Sequence, residues 1–164
     1  MTALGKMGPG DSSLRVRRGR HSDLLFIGKL SGTVFGIYGP YEQWVSQWFR
    51  SESAVTVVAT LSGTPVGFAM LGRFSPPAQV RVSAELLAIA VDPGRQRMGV
   101  GQLLLNEIEE IAISIGVTRL FLHTAKENFP AQKLFEKCNF TPSGVIRKFY
   151  PEGQDALLML KDLP

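Results

Sequence analysis

Apolar residues along this chain recur with a period of two in some stretches and near 3.6 in others, and the changes of period divide it into elements. Leu14-Arg15-Val16-Arg17 alternates and predicts a short first strand. Residues 21–30 are weakly helical, and 31–39, rich in glycine and turn formers, predict a loop. Pro40 then opens a helix over 41–50, where Trp44, Val45, Trp48 and Phe49 share one apolar face. Residues 54–61 are β-branched, Ser62-Gly63-Thr64-Pro65 is turn chemistry, and 66–71 completes a hairpin. A looser link through Ser75-Pro76-Pro77 leads to Val80-Arg81-Val82 and on into a strand over 84–91, too apolar for a sheet with one wet face. The clearest element follows as a helix over 102–115, with a stripe of Leu104, Ile108, Ile111 and Ile115, with Glu107, Glu109 and Glu110 off it, and with Gly116 placed to end it. Residues 118–124 form a buried strand, which the intervening helix turns parallel to the strand before it. Asn128 caps a helix with an inner face of Ala131, Leu134, Phe135 and Cys138, and strands over 140–148 and 156–160 close the chain. The order β, α, α, β, β, β, α, β, α, β, β predicts an α/β (α+β) fold, with a mixed, mostly antiparallel sheet of six to seven strands and helices on both faces.

Composition narrows the possibilities. At 164 residues one domain over 14–164 suffices, behind a leader over 1–13 whose Gly5, Gly8, Pro9, Gly10 and Asp11 predict disorder. The net charge of +4 suggests nucleic acid until it is located: Arg15, Arg17, Arg18 and Arg20 account for all of it, and the body is neutral. Those arginines read as a solvated edge strand, with a basic strand beside an acidic substrate or a cofactor's 3′-phosphate as the alternative, and no nucleic-acid partner is expected. One cysteine, Cys138, excludes an intrachain disulfide and fits a reducing, cytoplasmic compartment, and its place on the helix stripe makes it core rather than nucleophile. With two histidines, His21 and His123, no metal site is expected. No apolar run approaches the ~18 residues of a membrane span, so no membrane partner is expected either. Monomer and homodimer remain equally open.

Between the strand over 84–91 and the helix stand Gly94, Gly99 and Gly101, in a stretch able to turn free backbone N–H groups onto an anion. A Walker loop needs Gly-Lys-Ser/Thr at its end, and Gly99-Val100-Gly101 has none of it. A dinucleotide fingerprint needs a third glycine where Leu104 stands. What remains is Gln96-x-x-Gly99-x-Gly101.

That loop resembles the acetyl-CoA loop of the GNAT family of N-acetyltransferases. So do Leu87-Ala88-Ile89-Ala90-Val91-Asp92-Pro93 before it, Asn128 ahead of Ala131-x-x-Leu134-Phe135-Glu136-Lys137-Cys138-Asn139-Phe140, and the tail Arg147-Lys148-Phe149-Tyr150-Pro151 with Asp155-Ala156-Leu157-Leu158-Met159. The tail points to the branch that acetylates protein N-termini, typified by bacterial ribosomal-protein alanine acetyltransferases. The resemblance implies a central parallel strand pair splayed at its carboxyl ends and acetyl-CoA bound in the gap. Backbone groups of Ile89, Ala90 and Val91 would run beside the pantetheine arm. The amides of Arg97, Met98, Gly99, Val100, Gly101 and Gln102, in the loop that Gln96 opens, would hold the pyrophosphate. Asn128 would bond the arm further down, beside Phe135.

Direct transfer to an amine within a ternary complex is the implied reaction, and it needs the amine neutral. An α-amine with a pKa near 7.8 costs only about 1 kcal/mol to deprotonate at pH 7, against roughly 4.6 kcal/mol for a lysine. A weak base therefore serves an N-terminus. Glu85 stands where histone-type members carry a catalytic glutamate, and His123 where some eukaryotic N-terminal enzymes carry a histidine; both are candidates for that base. Each has a structural alternative: Glu85 could pair with Arg81 or another cation, and His123 could bond a neighbouring carbonyl. The bacterial enzymes place a tyrosine that protonates the leaving thiolate where this chain has Phe135. Tyr150 could supply a proton or orient the amine, or pack. Trp44 and Trp48 would lie beside the acceptor groove or in the core. The acceptor implied first is a protein or peptide N-terminus. A small-molecule amine of polyamine or aminoglycoside type, or an acyl-CoA-binding module without catalysis, remains open.

Overall fold

The computed structural model describes residues 13–51, 53–72, 74 and 81–164. The expected leader lies outside them except for Ser13, as do Val80 and the link at 75–77. Among the described residues seven strands form one sheet: β1 (Leu14–Arg18), β2 (Val55–Leu61), β3 (Thr64–Gly72), β4 (Ser83–Val91), β5 (Arg119–Ala125), β6 (Thr141–Ile146) and β7 (Ala156–Asp162). Four helices accompany them: α1 (Leu24–Phe35), α2 (Tyr41–Arg50), α3 (Val100–Ser114) and α4 (Phe129–Lys137). The spatial order is β1-β2-β3-β4-β5-β7-β6, antiparallel everywhere except between β4 and β5. α3 is the crossover that makes this one pair parallel.

The expected β2–β3 hairpin is present, with a tighter turn. Ser62 and Gly63 both have positive φ, 49° and 83°, so two residues close it and Thr64 already belongs to β3.

Each face of the sheet has its own core. On one, α3 buries Leu104, Leu105 and Ile108 completely among Val57, Ala69 and Leu120. Removing such a leucine to alanine costs about 2–5 kcal/mol. On the other, Ile27 of α1 and Val45 of α2 pack with Val58, Phe68 and Met70. The α3 stripe holds at Leu104, Ile108 and Ile111, but Ile115 lies past the helix end and is 52% exposed; Leu105 and Ala112 are buried beside the stripe.

The loop expected over 31–39 is a correction. α1 runs on to Phe35, and its hydroxyls do not break it because they bond inside it: Ser31 Oγ donates to the Ile27 carbonyl at 2.7 Å and Thr33 Oγ1 to Lys29 at 3.1 Å. Its glycines serve packing. A Cβ on Gly28 would meet Ser46 Oγ at 3.0 Å and one on Gly32 would meet Glu42 Oε2 at 2.8 Å, so the missing side chains let α1 and α2 approach closely. No helix among the described residues is long and apolar enough to cross a membrane.

Candidate active site

The parallel pairing of β4 and β5 is short. It links Ser83 with Arg119, Ala84 with Leu120 and Glu85 with Phe121, and goes no further. β4 continues along β3 as far as Val91, and β5 along β7 as far as Ala125, so the two strands separate beyond Glu85. A β-bulge marks the divergence: Leu71 pairs with Leu86 and Met70 with Ala88, which leaves Leu87 as the extra residue. A cleft of about 1200 Å³ opens there, lined along β4 from Glu85 to Val91 and along β5 from Leu122 to Ala125.

α3 points its N-terminus into the same cleft. Its cap residue Gly99 has φ +80° and offers no side chain, and the helical bonding begins with Leu103 N–H on the Gly99 carbonyl at 3.1 Å. The amides of Val100, Gly101 and Gln102 thus precede the first helical bond, at the positive end of a fifteen-residue helix. Arg97 also has positive φ, 66°, and Arg95 and Arg97 line the cleft beside these amides. This donor set suits a pyrophosphate, and the slot between β4 and β5 suits an amide-bearing arm that adds to a strand edge.

Gln96 and Gly101 act differently from what spacing suggests. The Gln96 side chain turns back and donates to the Val91 carbonyl at 3.3 Å, bracing the loop against β4. A Cβ on Gly101 would meet Leu134 Cδ2 at 2.9 Å, so this glycine leaves room for the Leu134 side chain of α4. Ile89, Ala90, Val91, Gly99, Val100, Gly101, Gln102, Asn128 and Phe135 line the cleft. The Met98 side chain is not among its lining and is 48% exposed. Asn128 caps α4, its Oδ1 accepting the Ala131 N–H at 3.3 Å, while Gln132 Nε2 donates to the Ala125 and Lys126 carbonyls at 3.1 and 2.9 Å. Phe135 is buried, edge-on to Phe140.

The two candidate bases are one pair. Glu85 Oε1 lies 2.9 Å from His123 Nδ1, with side-chain exposures of 8% and 15%. His123 thus bonds a carboxylate rather than the neighbouring carbonyl of its structural alternative, and Arg81 also reaches Asp162 at 3.4 Å. A carboxylate accepts from Nδ1–H, which leaves Nε2 as the lone-pair nitrogen of the ring. Phe149 stacks on the imidazole, centroids 4.5 Å apart at 18°, and fixes its plane. Tyr150 is buried, and desolvation first, then neighbouring Tyr41, Tyr38 and Glu85, push its pKa well above the ordinary phenol value. It stays a neutral donor through any working pH.

Beyond the pair the lining becomes aromatic, with Phe35, Tyr38, Tyr41, Trp44 and Trp48 from α1, α2 and the turn between them. Both tryptophans are half-buried and line the cleft, and Trp48 also packs against the core on that face of the sheet. Tyr38 and Tyr41 had no sequence signal beyond the density of rings between 35 and 49, and Phe149 was marked only as part of the tail motif, not as a ring on His123. Leu87 had none, because a bulge is a property of pairing.

Two loops are joined over this end. Gln154 Nε2 donates to the Ile37 carbonyl at 2.8 Å and Glu152 N–H to the Tyr38 carbonyl at 3.3 Å. The Tyr38 and Tyr150 rings lie 4.9 Å apart, and Gly39 is so close to Pro151 that a Cβ would sit 2.9 Å from its ring. The segment between β6 and β7 is thereby clasped to the turn between α1 and α2.

The sequence matches the model of the Acetyltransferase (GNAT) family over residues 23–140. It is 32% identical over 157 residues to an N-alpha-acetyltransferase of Sulfolobus acidocaldarius, covering 91% of this chain and 92% of that protein. It is 37% identical over 92 residues to the ribosomal protein bS18-alanine N-acetyltransferase of Salmonella typhimurium, a match that covers 54% of this chain and spans 62% of that protein's length. In fold it is similar to Arabidopsis thaliana NAA60 solved in complex with acetyl-CoA, with a TM-score of 0.79 at 16% identity, covering 92% of this chain and 99% of that one. The splayed strand pair, the uncapped helix N-terminus and these matches agree: the chain belongs to the GNAT acetyltransferase family and is an acetyl-CoA-dependent N-acetyltransferase.

Proposed function

We propose that the acceptor is a protein or peptide N-terminal α-amine, and that the reaction runs in the cytoplasm by direct transfer. The clasp between residues 149–155 and the α1–α2 turn carries this reading. With that end of the cleft bridged by Gln154, Glu152 and the Tyr38–Tyr150 contact, an amine enters end-on, as a chain terminus does, while a lysine held mid-chain brings backbone on both sides of it. The similarity to two N-terminal acetyltransferases supports the same acceptor.

Bound acetyl-CoA supplies an activated acyl thioester. Val100, Gly101 and Gln102 hold its pyrophosphate through their amides, Ile89, Ala90 and Val91 flank its arm through their backbone, and Asn128 and Phe135 border the arm from α4. His123 takes the proton of the entering amine on Nε2, and Glu85 steadies the imidazolium that forms. An α-amine near pKa 7.8 asks little of such a base. Phe135 has no proton to give a departing thiolate; Tyr150, a phenol kept neutral by burial, is the hydroxyl donor on this side of the cleft.

Peptides with a free N-terminus, peptides with a blocked N-terminus and an internal lysine, and a polyamine, each incubated with acetyl-CoA while free thiol is followed, test this. Saturable turnover of the first alone is expected. Turnover of the polyamine and of no peptide would establish a small-molecule acceptor. Thiol release no faster than hydrolysis, with acetyl-CoA still raising Tm, would leave a binding module without catalysis.

A further inference from the structure

We infer that the cleft selects acceptors whose first residue carries a bulky apolar side chain, methionine, leucine or phenylalanine, over alanine, serine or an acidic residue; this rests on the N-terminal reading above. The wall that α1, α2 and the turn between them contribute is Thr33, Val34, Phe35, Tyr38, Tyr41, Trp44 and Trp48, and these described residues include no charged side chain. It is continuous with the reacting groups. From His123 the rings pass to Phe149 at 4.5 Å, to Tyr150 at 5.0 Å, to Tyr41 at 6.2 Å, and then to Trp44 at 5.2 Å and Phe35 at 5.8 Å. Leu87, the bulge residue two positions from Glu85, faces the same space and packs on the core that Trp48 also joins.

A side chain leaving the α-carbon of an amine poised at His123 meets this wall. Methionine gains sulfur–ring contacts on it, and leucine or phenylalanine displaces water from it. Alanine would cover little of the rings, and an acidic side chain would lose hydration with no cation among the described residues of this wall to meet it. In an apolar pocket a single methylene changes specificity roughly 10- to 200-fold.

The test is a set of peptides identical except at residue 1, assayed with the full chain. We expect kcat/KM for Met, Leu and Phe peptides to exceed that for Ala and Ser peptides by about tenfold or more. Trp44→Ala and Trp48→Ala should each bring the Met-to-Ala ratio several-fold closer to one. Because the readout is a ratio within one preparation, a lower folded fraction in either variant cancels. Equal or better use of Ala and Ser peptides overturns the inference while the N-terminal reading stands. Failure with every peptide, alongside turnover of a polyamine, overturns the reading and the inference with it.

Discussion

Glu85 and His123 stand 38 residues apart in the chain and 2.9 Å apart in the fold. Each could be singled out locally, Glu85 as a carboxylate in an otherwise apolar strand and His123 as a lone imidazole in another. Their bond could not, because it depends on the register that sets Glu85 beside Phe121 and so leaves His123 two residues beyond the last position of β5 paired with β4. Coupling decides what substitutions do. Glu85→Gln keeps a hydrogen-bonding group against Nδ1 but removes its charge, whereas His123→Ala removes the nitrogen that meets the amine. We expect both to lower kcat/KM, with His123→Ala the larger loss at about 10²–10⁴-fold. The histidine variant should also recover part of its loss as pH rises past about 8, where an α-amine is already neutral and needs no base. Initial rates across pH with one peptide check this, and a loss that stays constant through that range would assign His123 a purely structural place. Phe135 and Tyr150 show the complementary limit of local reading: the missing hydroxyl of one was visible at once, while the buried ring cluster that keeps the other protonated is assembled from residues more than a hundred positions apart.

At the scale of elements, periodicity located every strand and helix, and it failed where glycine had two meanings. Gly32 read as a loop residue and Gly28 weakened the helix reading before it, because helix propensity penalises glycine, yet both lie in α1 for the sake of α2. The same ambiguity separates Gly99 from Gly101. Gly99 needs its positive φ and has open space around it, so Gly99→Ala strains the backbone at the start of α3 by about 1 kcal/mol and tilts the amides behind it. Gly101 has ordinary helical backbone, and its Cβ would press only on the terminal methyl of Leu134, which can turn aside. Gly99→Ala should therefore weaken acetyl-CoA binding several-fold and lower Tm, and Gly101→Ala should do less of both; calorimetric titration and thermal melts give the ranking. β1 is tied down by chemistry that pattern reading passed over as a solvated basic edge. Arg17 of β1 clamps Asp23 with two bonds of 2.7 and 2.9 Å, and the Arg20 N–H adds a third at 2.7 Å. The guanidinium first, and that N–H with it, hold the Asp23 carboxyl below the usual carboxylate range against the opposing effect of burial. A depressed carboxylate stabilises the fold above its unfolded pKa near 4, and the contribution fades as pH falls through the lower folded value. Asp23→Asn should cost about 2 kcal/mol at pH 7 and progressively less below about pH 4. Urea midpoints at neutral and acid pH test it, and a deficit that persists undiminished in acid would mean that the charge is not what holds β1 to α1.

For the molecule as a whole, the cofactor half of the cleft was legible because it is made of contiguous backbone: a strand end, a glycine loop and a helix start follow one another from 85 to 102. The acceptor half was not, because α1, α2, β5 and the segment between β6 and β7 supply it from four separate places, and only the closed sheet brings them together. The clasp belongs to this scale, since Ile37 and Gln154 are 117 residues apart. If it is what restricts entry to chain termini, loosening it should change which amine reacts more than how fast the enzyme works. Gln154→Ala removes the side-chain bond to Ile37, and adding Tyr38→Ala removes the ring contact with Tyr150, while Glu85, His123 and the acetyl-CoA loop are untouched. The double variant should acetylate an internal lysine peptide several-fold better relative to an N-terminal one, measured by competition between the two in one reaction. The rise should grow with pH, because opening the groove admits the lysine but does not supply the roughly 4.6 kcal/mol that its deprotonation costs at pH 7. A double variant that loses activity toward both peptides in proportion would show that these loops support the pair at His123 without selecting what reaches it.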